Sequence, residues 1–182
     1  MNLRWYQVAA VLVALSFLVC ASGWLLPRQW SVEQSAVVAA APDRVFEYVN
    51  TYEGWRAWGR WAQEVDPSLE FSDPLGPSEG EGMAFEWHTG GEQAGVLRLV
   101  ESEPGERVRY LMESPTGTPV MHGEIRLEPV SAGVVVHWRE GGDLGWNPLS
   151  RWLARLSQPM MEEDFAKGLE ALKAEAEGNG SG

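Results

Sequence analysis

The sequence predicts one α+β domain in which a curved antiparallel sheet wraps around a long C-terminal helix. Two observations carry this prediction: five consecutive segments of alternating hydrophobicity, and a helical pattern of apolar residues from Pro148 to Glu177. Alternation with a period of two buries one face of a strand, and five such segments in a row indicate an antiparallel sheet. An amphipathic helix must bury its apolar stripe, and a bent sheet offers a concave face that receives it.

One strand and two short helices are predicted ahead of the sheet. Residues 30–39 alternate in part and indicate the first strand. A helix over residues 43–50 follows, because Ala41-Pro42-Asp43 places a proline and an acidic side chain at its start. Thr51 is the predicted cap of a second helix, which carries Trp55, Trp58 and Trp61. Steps of three drift around a 3.6-residue helix, so we expect one or two of these rings to pack and another to lie at a pocket mouth or on a membrane.

Apolar side chains of the alternating segments share one face of the predicted sheet. A short strand near residues 69–71 precedes these segments, and turns at Gly90-Gly91, Pro104-Gly105 and Ala132-Gly133 separate them. The inward positions are Met83, Phe85, Trp87, Leu97, Leu99, Tyr110, Met112, Met121, Ile125, Val136 and Trp138. The helices add Trp58, Met160, Met161, Phe165 and Leu169. Methionine and aromatic side chains recur where adaptable apolar ligands bind, so the set predicts a ligand cavity. The alternative is a core that these side chains fill.

The C-terminal helix is predicted to carry its apolar residues in two portions. Pro159 separates them. The positions are Leu149, Trp152, Leu153 and Leu156 in the first portion, and Phe165, Leu169 and Leu172 in the second. The polar tail over residues 178–182 is predicted to be flexible.

An apolar run at the N-terminus predicts a membrane anchor. Val8 to Leu26 is nineteen residues without a charge, which spans roughly 28 Å as a helix, close to one bilayer core. The alternative is a cleaved signal peptide, but the run is long for one and no clear cleavage site follows. Arg4 and the amino terminus lie on one side and Arg28 on the other, which favours an extracytoplasmic domain. We therefore expect a single-pass anchor (or signal peptide) over residues 1–29 and one domain over 30–177.

Charge and cysteine content exclude several functions. The net charge of −12 opposes approach to nucleic-acid phosphates, and no polybasic lipid-recognition patch is present. Cys20 is the one cysteine, so neither an intramolecular disulfide nor a thiolate zinc site can form. The three histidines, His88, His122 and His137, fall on the outer face without a ligand spacing, so we expect no metal and no cofactor.

Three stretches resemble a known family. They are Ala41-Pro42-Asp43-Arg44-Val45-Phe46 with Val49-Asn50, the tryptophan-rich segment from Trp55 to Asp66-Pro67, and the segment from Asp164 to Lys173. The sequence resembles the START-like superfamily and, within it, the polyketide cyclase/dehydrase and lipid-transport group. Gly59-Arg60 departs from the Ser-Pro that this family more often has there. The resemblance implies a helix-grip (START/Bet v 1-like) fold with a hydrophobic cavity, and no specific reaction.

The leading hypothesis is a membrane-tethered protein that binds a small hydrophobic or lipid-like ligand. No nucleophile elbow and no phosphate-binding loop is present, which favours binding over catalysis. The second hypothesis is a polyketide cyclase or dehydratase. Glu140 continues the alternation from Trp138 onto the concave face, where a carboxyl of raised pKa can act as acid or base, and Tyr110 adds a hydroxyl. The alternative for Glu140 is a solvated carboxylate at the sheet rim. The third hypothesis is an interaction module with a filled core, and the oligomeric state stays open.

Overall fold

Seven antiparallel strands of the described chain form one curved sheet, and its longest helix closes the concave face. The structure is a computed structural model that describes residues 3–116 and 119–178. The strands are β1 (Gln29–Val38), β2 (Glu70–Phe71), β3 (Ala84–Thr89), β4 (Glu92–Glu103), β5 (Arg107–Glu113), β6 (Pro119–Val130) and β7 (Gly133–Asp143). The helices are α1 (Leu3–Ser22), α2 (Pro42–Asn50), α3 (Tyr52–Trp58), α4 (Ala62–Val65) and α5 (Pro148–Ala176), with 3-10 turns at Gly23–Leu25 and Gly59–Trp61.

The sheet confirms the predicted fold class. Its order is β1-β7-β6-β5-β4-β3-β2, so the last strand pairs with the first, and β3 to β7 form a meander. These five strands are the predicted alternating segments. The predicted turns hold Gly90, Gly105 and Gly133 at positive φ, a backbone region that other residues rarely adopt.

The tryptophans of α3 and the turn after it join the small helices to the core. Thr51 caps α3 as predicted, because its hydroxyl oxygen accepts a hydrogen bond from the Gly54 amide at 3.1 Å. Trp55 and Trp58 are buried, and their indole N–H groups donate to backbone carbonyls of α2. The 3-10 turn at Gly59–Trp61 changes the helical step after Trp58. Trp61 therefore packs against the core as well, where at most two of the three were expected to do so.

Helix α5 behaves differently in its two halves. It continues through Pro159, where the sequence predicted an interruption. Its second half buries an apolar face against the sheet: Phe165, Gly168, Leu169, Leu172 and Ala176. Its first half leaves Leu149, Leu153, Leu156 and Met160 exposed. The expectation that the whole helix buries one stripe is therefore wrong for the first half, and Met160 lies outside the predicted cavity wall.

The apolar N-terminal segment consists of helix α1 and the 3-10 turn after it. The segment Arg4–Leu25 is long and apolar enough to cross a membrane, a property that it shares with signal sequences near an N-terminus. Its C-terminal end contacts the start of α5. Trp152 donates its indole N–H to the carbonyl of Val19 at 3.0 Å, and Trp24 donates to the carbonyl of Trp146 at 2.9 Å.

Candidate functional site

A row of positions crosses five neighbouring strands on the concave face. Register pairs these residues in succession: Val32, Glu140, Gly123, Tyr110 and Leu99. Directly opposed residues of antiparallel strands point to the same side of the sheet. The row therefore carries one carboxyl and one phenol into an apolar interior, with a glycine between them.

The absence of a side chain at Gly123 allows Tyr110 and Glu140 to come together. A Cβ atom built at this position would overlap the ring and hydroxyl of Tyr110. The Tyr110 side chain thus lies across the glycine and donates its hydroxyl proton to a carboxyl oxygen of Glu140 in a short hydrogen bond. The indole N–H of Trp138 donates in turn to the Tyr110 hydroxyl oxygen at 2.6 Å. These three side chains form a continuous buried hydrogen-bonded chain, which we call the Trp138–Tyr110–Glu140 triad.

Aromatic rings enclose the triad from the helix side. Phe165 of α5 stacks on Trp138 with ring centroids 4.1 Å apart. Trp58 meets the same indole edge-on at 5.3 Å, and Trp55 meets Tyr110 edge-on at 5.2 Å. A Cβ at Gly168 would lie 2.6 Å from the Trp138 ring, so α5 needs a glycine where it approaches the sheet. The triad therefore lies in a buried aromatic setting.

Burial changes the proton affinity of both acidic members of the triad. Glu140 is 7% exposed. Burial raises its pKa to about 7, although the hydrogen bond from Tyr110 works in the opposite direction. Burial and the neighbouring carboxyl also raise the pKa of Tyr110 well above its usual value. The alternative of a solvated carboxylate at the sheet rim does not hold for Glu140, and its side chain can exchange a proton near neutral pH.

The structure brings most of the predicted cavity residues together as a packed cluster. Those buried in it are Trp58, Met83, Phe85, Leu97, Leu99, Tyr110, Ile125, Val136, Trp138, Phe165 and Leu169. Trp87, Met112 and Met161 are partly buried against this cluster. Met121 is half-buried and lines a surface groove of about 320 Å³ with Trp30 and His122. A ligand role for these residues stays a prediction.

A cleft that the sequence did not predict lies between β1 and the first half of α5. Its volume is about 230 Å³, and its walls combine apolar and polar side chains: Leu26, Pro27, Gln29, Trp30, Ser31, Val32, Leu144, Arg151, Ala154, Arg155, Gln158 and Met161. Val32 is the cross-strand neighbour of Glu140, so the cleft wall adjoins the triad. Arg151 is buried and donates hydrogen bonds to the carbonyls of Trp24, Leu26 and Gly145. The signal for this cleft in the sequence was a pair of arginines, Arg151 and Arg155, four residues apart in an apolar helix.

The outer face of the sheet carries charged side chains. His137 lies 3.4 Å from Glu128, and His88 lies 3.6 Å from Glu86. Within residues 3–116 and 119–178, no group of three or more metal-ligating side chains comes together.

The comparison with sequence families decides the identity of the domain. The sequence model of the polyketide cyclase/dehydrase and lipid-transport family matches residues 29–177. The chain belongs to this family. The resemblance seen in the sequence is thereby confirmed. This family's fold suggests a ligand-binding or cyclase role. No curated protein matches this family member significantly.

Solved structures share the fold of this polyketide cyclase/dehydrase family member. Protein CV1439 from Chromobacterium violaceum is 21% identical with a TM-score of 0.55, over 81% of this chain and 97% of that one. The di-domain ARO/CYC StfQ from the steffimycin biosynthetic pathway is 18% identical with a TM-score of 0.57, over 83% and 51%. The Aha1 dimer from Colwellia psychrerythraea is 13% identical with a TM-score of 0.55, over 81% and 96%. At these identities the likeness shows the fold alone.

Proposed function

We propose that this chain is a membrane-tethered protein that binds a small hydrophobic or lipid-like molecule between α5 and the sheet. The cleft between β1 and the first half of α5 carries the proposal. Its apolar wall of Leu26, Trp30, Val32 and Met161 suits an acyl or aromatic body. Arg155 at the same cleft supplies a cation for a polar end.

The position of the cleft favours a molecule that arrives from a membrane. Leu26 and Pro27 in its wall directly follow the apolar segment Arg4–Leu25. If α1 spans a bilayer, the cleft lies just outside it. A lipid-like molecule then has a short path from the bilayer into the domain.

The volume of the cleft is below the range typical of ligand pockets, about 300–1,000 Å³. A larger ligand must therefore displace part of α5. Pro159 marks where this displacement would occur. Proline has no backbone N–H, so the carbonyl of Arg155 loses its helical hydrogen bond at this point. The second half of α5 stays attached through Phe165, Leu169 and Leu172, which are buried. Movement of the first half would widen the cleft toward the Trp138–Tyr110–Glu140 triad.

Filling the cleft is expected to reduce ligand capture strongly. Ala154 lies in the cleft wall, and Ala154→Phe places a ring in the space that a ligand would occupy. We expect ligand occupancy to fall about tenfold or more, because the ring excludes the ligand from the cleft and a loss of about 1.4 kcal/mol in binding free energy already lowers the affinity tenfold. The measurement is native mass spectrometry of the detergent-purified full chain, followed by organic extraction and identification of the extracted molecules.

Ala166→Phe is the matched control, because Ala166 is an exposed alanine in the second half of the same helix. It should retain the occupancy of the unmodified chain. A chain that yields no extractable molecule, in either form, would contradict binding and favour the interaction module with a filled core.

A cyclase or dehydratase is the second candidate, and the buried Glu140 favours it. A carboxyl with a pKa of about 7 beside a phenol is suited to proton transfer at neutral pH. Glu140→Gln keeps the shape and removes the titrating proton. Turnover of a linear poly-β-ketone thioester by the full chain should then fall by about 10²–10⁴-fold. Equal turnover in both forms would remove this candidate.

A further inference from the structure

A row of large apolar side chains lies exposed along the first half of α5. Leu149, Leu153, Leu156 and Met160 are between 50% and 70% exposed. Their spacing of four, three and four residues places them on one face of the helix. Single exposed apolar residues are ordinary, but a contiguous apolar row marks a surface that contacts something other than water. We call these four residues the α5 stripe.

The α5 stripe ends abruptly within the helix. Glu163 and Lys167 continue the same face beyond Met160, and they form an ion pair at 2.9 Å. The same helix therefore presents an apolar face in its first half and a charged face in its second half. Such a change is expected where a helix passes from a nonpolar boundary into water.

The end of α1 fixes the level of the α5 stripe relative to a membrane. The backbones of Gly23 and Pro148 touch, since a Cβ at Gly23 would overlap the Pro148 carbonyl. The hydrogen bond from Trp152 to the carbonyl of Val19 holds the next turn of α5 against α1. If the segment Arg4–Leu25 spans a bilayer, the start of α5 lies at the depth of its last turns, at the bilayer edge.

The residues around this junction are those of a membrane interface. Trp146, just before α5, is 78% exposed, and Leu25, in the turn after α1, is 88% exposed. Tryptophan is enriched where the hydrocarbon core meets the headgroups. The Arg28 guanidinium lies 5.5 Å from the centre of the Trp146 ring.

The charges near the junction match a lipid surface better than those elsewhere in the chain. The sequence has 26 acidic and 14 basic residues. Nevertheless, the segment over residues 144–161 contains Arg151 and Arg155 and no acidic residue. The strong negative charge that opposes contact with phospholipid headgroups is therefore carried by other parts of the domain.

We propose that the first half of α5 lies along the surface of the bilayer that α1 spans, with the α5 stripe and Trp146 inserted at the level of the headgroup–acyl boundary. This inference rests on the proposed tether and adds a second contact with the same membrane. An amphipathic helix that lies in the interface buries its apolar face by about 5–10 Å. The contact would hold the cleft between α5 and β1 against the lipid surface, from which the proposed ligand is taken.

Spin labels on the full chain test the depth of the α5 stripe. Labels are attached to Leu153→Cys and Leu156→Cys in a Cys20→Ser background, in vesicles of equal parts phosphatidylcholine and phosphatidylglycerol. The measured quantities are the rates at which each spin label collides with lipid-soluble oxygen and with a water-soluble nickel chelate. Val13→Cys in α1 is the reference for the bilayer interior, and Glu163→Cys is the reference for water on the same face of α5. We expect the oxygen-to-chelate ratio at residues 153 and 156 to lie well above that at 163 and below that at 13.

The references separate failure of the docking from failure of the tether. If residue 13 is in lipid while residues 153 and 156 are as open to the chelate as residue 163, the docking is overturned and the tether stands. If residues 153 and 156 are shielded from both reagents, the α5 stripe contacts protein, such as a second copy of the chain, and the docking is overturned as well. Chelate access at residue 13 would overturn the tether and the docking together.

Discussion

Glu140→Gln is expected to raise the free energy of unfolding by about 3 kcal/mol above pH 7. Burial raises the pKa of Glu140 from 4.5 to about 7, and a tenfold change in proton affinity corresponds to about 1.4 kcal/mol. The folded state holds this proton more tightly than the unfolded state. Between these two pKa values the unfolded chain releases the proton while the folded chain keeps it. The stability therefore falls as the pH rises through this window and levels off above it.

Urea unfolding of the full chain in detergent micelles, from about pH 4 to about pH 8, measures this effect. The unmodified chain should lose stability across the window, and Glu140→Gln should remove the Glu140 part of that slope. Tyr110→Phe is the second variant. It deletes the hydrogen bond that lowers the Glu140 pKa, so this pKa should rise further. The loss of stability should then extend to higher pH. An identical slope in Glu140→Gln and the unmodified chain would mean that another group titrates there.

A carboxyl that is buried at a cost in stability is a candidate functional group. Glutamine would fill the same volume and accept the same hydrogen bond from Tyr110 without becoming charged. Perturbed acidic groups of this kind cluster at functional sites, where activity requires a destabilised arrangement. The two proposed functions therefore make different demands on Glu140. Binding needs a polar partner, whereas a cyclase needs its proton.

Local sequence patterns predicted the parts of the structure that depend on periodicity. Alternation identified β3 to β7, and continuing it from Trp138 assigned Glu140 to the concave face. Thr51 was recognised as a cap because a hydroxyl before a helix satisfies a free backbone N–H. These features follow from the repeat of the backbone itself.

The parts that depend on distances between elements could not be predicted. Alternation assigns Phe85 and Leu99 to a face, but only packing determines whether Trp55, Trp58 and Phe165 fill the space above them. The pattern of Leu149, Leu153 and Leu156 would be the same for a protein partner as for a lipid surface. The cleft is also a property of the gap between β1 and α5, which no single segment encodes.

The structural role of Gly123 follows only from the strand register. A glycine within a strand indicates a weak point or a close approach, without naming the group that approaches. In the sequence, Gly123 lies midway between the predicted inward positions Met121 and Ile125, and no role was predicted for it. Pairing it with Tyr110 on one side and Glu140 on the other shows that the missing side chain admits the phenol ring.

Gly123→Ala is expected to lower the free energy of unfolding by about 3 kcal/mol, at the upper end of the cost of overpacking. The new methyl group would overlap the Tyr110 ring. That ring cannot move aside easily, because Trp55 lies edge-on against it at 5.2 Å and its hydroxyl is held by Trp138 and Glu140. Denaturant unfolding of the full chain in micelles measures the loss.

Gly59→Ala is the matched control for this change. A Cβ at Gly59 would lie 3.4 Å from the Phe71 ring, an ordinary contact, and its φ of −66° suits alanine. This substitution should be neutral or stabilise by up to about 1 kcal/mol. Tyr110→Leu should then reduce the cost of Gly123→Ala, because the ring that clashes is gone and the two sites are coupled. If Gly123→Ala costs no more than Gly59→Ala, the Tyr110 ring does not lie across the glycine, and the triad is not built as described.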